Sequence, residues 1–197
     1  MPRAAVSVGR VLADLARVFG RLRVRWYVFG AQALVLRGMP RATADVDVTV
    51  LLGARTTKTL ADALEAGGFS LRVADARFVA ATRVLPIVHR ASKLPVDVVL
   101  GGPGLEEHFA ESAEEIRVGR TAVPVARPRD LVLMKVLAGR PKDLEDAATL
   151  MRADPSLIAS DDLSAAAAEV AKALGEDDVV RNLKSVRTSV TARRKRR

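Results

Sequence analysis

The sequence predicts an α+β fold, a mixed β-sheet with flanking helices followed by a C-terminal helical bundle, and three patterns predict it. Val8, Val11, Leu12, Leu15, Val18, Phe19 and Leu22 recur at helical spacing. Val46, Val48 and Val50 alternate with Asp45, Asp47 and Thr49 at the period of two that marks a strand. After Pro128 the apolar spacing is helical throughout, so strand-like sequence ends near residue 126.

In chain order, the first helix covers residues 8–22. An apolar, β-prone run at 26–29 stops at Gly30, and residues 31–36 read as a short helix ending near Gly38, with Pro40 beyond it. The alternating strand at 45–50 leads to a helix over 56–66, closed by Gly67 and Gly68. Residues 83–89 and 95–100 are further strands, 101–104 a turn and 105–115 a helix. Residues 116–118 and 122–125 suggest a hairpin around Gly119 and Arg120. Helices are then expected at 130–137, 142–152, 163–174 and 177–186. The division is a core at 1–126, a helical region at 127–186 and a basic tail at 187–197, expected to be disordered.

The chain has 197 residues, enough for one domain with a small helical attachment. Apolar residues make up 49% but aromatics only 4%, so the core must be built mainly from Ala, Val and Leu. The absence of cysteine excludes disulfides and thiolate metal sites. No apolar run approaches the roughly 20 residues that cross a bilayer, and residues 1–8 hold no signal-peptide core. A soluble cytoplasmic protein with no membrane partner is expected. The formal charge is +9, yet Arg181, Lys184, Arg187, Arg193, Arg194, Lys195, Arg196 and Arg197 fall in a stretch without an acid, which leaves the rest near neutral. Such a tail attracts polyanions by counterion release, or is a solvated end that aids solubility; composition leaves both open.

Asp45 and Asp47 lie two apart on a strand, so their side chains share a face while Val46 and Val48 point into the core. Two like charges so close are costly unless a cation joins them. Magnesium suits such a pair, because it takes a few carboxylates together with waters and phosphates. Asp97 interrupts the apolar run at 94–100, and an acid there is either on a solvated face or part of a site. If its strand neighbours that of Asp45 and Asp47, three carboxylates converge, the arrangement that two-metal phosphoryl or nucleotidyl transfer requires. Upstream, Gly30 and Ala31 mark a strand that ends where a helix begins, a junction that lets backbone amides approach phosphate. Arg41 and Thr43, between this junction and the acids, are close enough in sequence to line the same pocket. Lys135 interrupts a helical apolar run, so it snorkels to solvent or faces a charged site. Asp143 and Asp146 are one turn apart and can pair with Lys135 or Arg140.

Other chemistries lack support. His89 and His108 are the only histidines, too few for a zinc site. No nucleophile elbow is present, and Gly101-Gly102-Pro103-Gly104 lacks the Lys and Ser/Thr of a phosphate-binding P-loop. Trp26 reads as core.

The run from Trp26 through Gly30 and Ala31, with Arg41-Ala42-Thr43-Ala44-Asp45-Val46-Asp47, resembles the nucleotidyltransferase fold of the DNA polymerase β superfamily. That signature is a Gly followed by Gly or Ser, an acid-x-acid strand, and a third acid on a later strand. The second position is Ala31 here, so a hydroxyl contact is lost and backbone amides remain. The stretch from Arg129 through Lys135, Arg140, Lys142, Asp143 and Asp146 is similar to a small bacterial branch that includes the AbiE-type toxins and their tRNA-modifying relatives. The resemblance covers residues 20–152. It implies Asp45, Asp47 and Asp97 as ligands of magnesium, two ions in all, with a nucleoside triphosphate as substrate. It implies Gly30, Ala31, Arg41, Thr43 and Lys135 as nucleotide contacts, and Arg140, Lys142, Asp143 and Asp146 as support. The expected reaction is transfer of a nucleoside monophosphate to RNA, foremost a tRNA 3′ end, by a toxin with a cognate antitoxin. The alternatives are adenylyl transfer to a protein or a small molecule such as an antibiotic, and a non-catalytic binding module on the same fold.

Overall fold

The sequence that separates the three acids folds so as to bring their strands together. In the computed structural model, which describes the backbone of residues 3–194 and the side chains of residues 8–192, the chain forms two units, Met1–Ala126 and Arg127–Arg197. The first unit contains α1 (Arg3–Leu22), β1 (Arg25–Phe29), α2 (Gly30–Leu36), β2 (Val46–Leu51), α3 (Thr57–Ala66) and β3 (Phe69–Leu71). It continues with α4 (Ala76–Thr82), β4 (Val84–His89), β5 (Pro95–Leu100), α5 (Leu105–Ser112), β6 (Glu114–Val118) and β7 (Thr121–Val125). The sheet order is β3-β4-β5-β2-β1-β7-β6. It is mixed: β2 runs parallel to β5 and antiparallel to β1.

The alternation read at 46–50 places β2 at the sheet centre. Val46, Val48 and Val50, with Val96 and Val98 of β5, are fully buried on one face. Trp26 shares that face, and its ring lies 5.1 Å from Phe19 of α1, so the first amphipathic helix covers this side. Tyr27 points to the other face and meets Phe109 of α5 edge-on at 6.4 Å. Tyr27 pairs with Thr49, and Phe29 with Asp47, so Asp47 lies on the α5 face. The hairpin between β4 and β5 is tied to α1 through the buried His89, whose Nε2 is 2.9 Å from Asp14 and whose Nδ1 is 2.7 Å from Ser92 Oγ.

Features of the first unit depart from the sequence reading. β3 and α4 occupy residues that gave no strand or helix signal, because each is short: three residues and seven. The helix expected over 105–115 stops at Ser112, and Glu114 and Glu115 belong to edge strand β6, where they pair with Val125 and Pro124 of β7. An exposed edge tolerates such acids because the outer backbone groups face water.

The second unit contains α6 (Pro128–Ala138), α7 (Pro141–Ala153), a 3₁₀ helix (Pro155–Ala159), α8 (Asp161–Leu174) and α9 (Asp178–Arg194). Pro128 and Pro141 start α6 and α7 where no amide partner is needed, and Gly139 and Gly175 close α6 and α8 in the left-handed conformation. The disordered tail expected from residue 187 is a correction: α9 continues to Arg194. Val179, Leu183, Val186 and Val190 form one buried stripe along it, and Arg187 donates to Ser164 Oγ and Ser160 O, each at 2.8 Å. Burial holds the Arg187 guanidinium below its usual pKa. Residues 195–197 of the tail lie outside the described residues. Among the described residues, no helix is long and apolar enough to cross a membrane.

Candidate functional site

Strand register assembles the acidic cluster. Parallel pairing sets Asp47 beside Asp97, one on β2 and one on β5, so both project from the same face at the same level. Asp45 immediately precedes β2 and adds a third carboxylate. Oxygens from all three lie within 4.8 Å of one another, and this is the one such cluster of three or more potential metal ligands among the described residues. None of the three is fully buried.

Neighbouring groups orient the cluster. The Thr43 hydroxyl lies 2.9 Å from Asp45 Oδ1 and 3.0 Å from the Asp45 carbonyl oxygen, so its one proton steers that side chain. Gly30 begins α2 with φ +65° directly against Asp47; a Cβ there would collide with the Asp47 carboxylate, its Cγ only 2.9 Å away. Glycine at this point therefore does two jobs, adopting a left-handed conformation and clearing space for the acid. Phe29 gives the helix start no side-chain cap. Ala31 follows in the first turn, and Arg41 stands exposed on the irregular segment before β2. Arg72, just after β3, donates from Nη1 to Asp97 Oδ1 at 3.3 Å. Sequence reasoning missed Arg72, because β3 is too short for a period-two pattern to announce it.

The donor set fits a magnesium ion. Three hard oxygen donors are the chemistry it prefers, and ligands of one such ion at about 2.1 Å each stand no more than about 4.2 Å apart. The observed limit of 4.8 Å is within a small side-chain adjustment of that.

Lys135, Arg140, Lys142, Asp143 and Asp146 lie in the second unit. Of the two readings open for Lys135, the charged one is found. Its Nζ donates to Asp143 Oδ1 and Asp146 Oδ2, each at 2.9 Å, and all three groups are buried. Arg140 closes on the other oxygen of Asp143. Burial pushes the Asp143 pKa up, but the hydrogen bonds from Arg140 and Lys135 outweigh it and hold the carboxyl below its usual value. Lys142 is exposed and stands outside this cage.

Residues 9–195 match the family described as nucleotidyltransferase of unknown function (DUF6036). Among solved structures, the chain is similar to an antigenic nucleotidyltransferase-like protein from Paracoccidioides brasiliensis, with a TM-score of 0.55 and 18% identity over 89% of this chain and 91% of that one. At that identity the likeness concerns the fold alone. No curated protein matches the chain.

Proposed function

The chain belongs to this nucleotidyltransferase family, and from that premise we propose that it is a magnesium-dependent enzyme moving a nucleoside monophosphate from a nucleoside triphosphate to the 3′ end of a tRNA. The observation that carries the reading is the register that sets Asp47 beside Asp97, with Asp45 in reach and Gly30 clearing the approach. Asp45, Asp47 and Asp97 would hold the magnesium ions. When bound, magnesium supplies charge neutralisation for the triphosphate and its pyrophosphate leaving group.

The residues of this chain do the rest. The backbone amides of Gly30 and Ala31, at the uncapped start of α2, bind phosphate oxygens. Thr43 keeps Asp45 oriented, and Arg41 lines the pocket. Asp97 accepts the proton of the attacking hydroxyl as its oxygen bonds to the α-phosphorus. The bond from that phosphorus to the β-phosphate bridging oxygen breaks, and pyrophosphate leaves. Within the second unit, Lys135 commits two of its three protons to Asp143 and Asp146, and Arg140 closes on Asp143. The resemblance read in the sequence between residues 129–146 and the AbiE-type branch supports a cytoplasmic toxin held in check by a cognate antitoxin.

Incubation with each α-labelled nucleoside triphosphate, magnesium and total tRNA tests this. Label is expected on tRNA and absent with Asp47→Asn. Label on a protein or small molecule would replace the RNA acceptor. Tight RNA binding with no label under any condition would favour a non-catalytic module.

A further inference from the structure

A second feature lies at the other end of the strands that carry the acids. Leu51 ends β2 and Leu52 follows it, and Gly101, Gly102 and Pro103 follow β5; with residues 23–25 they line a cavity of about 410 Å³. Five residue steps of about 3.3 Å lead from Asp47 along β2 to Leu52, so the cavity is about 16 Å from the carboxylates.

Its rim is rich in arginine. Arg23, Arg25 and Arg55 line it. The guanidinium of Arg83 packs on Gly102, where an added Cβ would come within 3.0 Å of Nη2. Arg25 is held by Glu107 and Glu111 at 2.6 and 2.8 Å. No carboxylate among the described residues pairs with Arg23, Arg55 or Arg83; Arg83 spends Nε and Nη2 on the Leu100 carbonyl oxygen. Even with both glutamates counted, the rim keeps an excess of positive charge.

Backbone conformation points the same way. Helices commonly end on a left-handed residue, and glycine adopts it without strain. Gly139 and Gly175 do so after α6 and α8, but α1 and α4 are followed by Arg23 at φ +49° and Arg83 at φ +56°. Arg23 lines the cavity and Arg83 packs against Gly102 of its lining, two positions that backbone preference alone would give to glycine.

We infer that this cavity holds phosphate groups of the nucleic-acid acceptor. The source of the phosphates rests on the acceptor proposed above; the cationic cavity does not.

The test uses the full chain with Arg23→Gly and Arg55→Ala combined, and a dye-labelled single-stranded RNA titrated over a series of salt concentrations. Glycine at position 23 keeps the left-handed cap, so folding is preserved, which a circular-dichroism melt checks. Two lost phosphate contacts should make the slope of log affinity against log salt shallower by about 1.4 and weaken low-salt binding about tenfold, while Mn²⁺ binding at Asp45, Asp47 and Asp97 stays unchanged. If the double variant melts early, Arg55→Glu alone, on an exposed loop, gives the same readout. An unaltered slope in a variant that binds RNA like the parent overturns the cavity assignment and leaves the RNA acceptor standing. A parent protein that binds no RNA and labels a protein or small molecule removes the acceptor and this inference with it. Loss of inorganic pyrophosphate binding without a change in the RNA slope assigns the cavity to a free anion and also overturns the inference.

Discussion

Gly30 and Asp47 constrain each other at the scale of single residues. A methyl group at position 30 meets both a left-handed backbone and the Asp47 carboxylate. Gly30→Ala is expected to cost about 1–3 kcal/mol in urea melts and to weaken Mn²⁺ binding by displacing Asp47. Gly38→Ala is the control. It also has positive φ but open space around it, so it should cost stability without touching the metal. Asp47→Asn should abolish transfer and leave the ion-free protein as stable or up to about 1 kcal/mol more stable, since carboxylates 4.8 Å apart repel by about that much in water. The acids themselves are legible in the sequence: an acid-x-acid pair inside a valine alternation, and one aspartate inside an apolar run. Arg72 is not, because nothing local links it to a residue 25 positions away that it meets only through the pairing of β3 with β4 and β4 with β5.

At the scale of elements, α6 and α7 are joined by charge as well as by apolar packing. Lys135 on α6 sits between Asp143 and Asp146 on α7. Lys135→Met takes the shared cation away from two buried carboxylates, and should cost about 3–5 kcal/mol. Loss of transfer in that variant must therefore be measured below its melting temperature. The Asp143 pKa is lowered in the folded chain, so its contribution to stability is complete above the ordinary aspartate pKa near 4 and is lost as pH falls through the lowered value. Melting temperature followed from pH 6 to pH 2 should fall less steeply in Asp143→Asn than in the parent. The sequence offered both partners of this cage without choosing between them, because one-turn spacing on α7 fixes a shared face but not what that face meets. For α9 the sequence predicts a helix only over 177–186, because the run of cations that follows suggests disorder, whereas Val179, Leu183, Val186 and Val190 form one buried stripe. Packing of that stripe prevails over the charge.

At the scale of the molecule, the sequence yields the mixed sheet and the helical second half, but not the strand order. The parallel pair β2 and β5 joins residues 50 positions apart, such as Asp47 and Asp97, and no local pattern specifies a pairing of that kind. That single pairing determines whether three acids are scattered or form a centre. The basic character also acquires a location: arginines line the cavity at the far end of β2 and β5 in the first unit, and others lie along α9 in the second. The most direct test is Mn²⁺ titration followed by electron paramagnetic resonance, comparing the parent chain with Asp97→Asn at equal concentration. Tight binding by the parent and at least about tenfold weaker binding by the variant is the predicted result. Equal affinity in both would mean that the β5 carboxylate is no ligand, and the site as described here would be wrong.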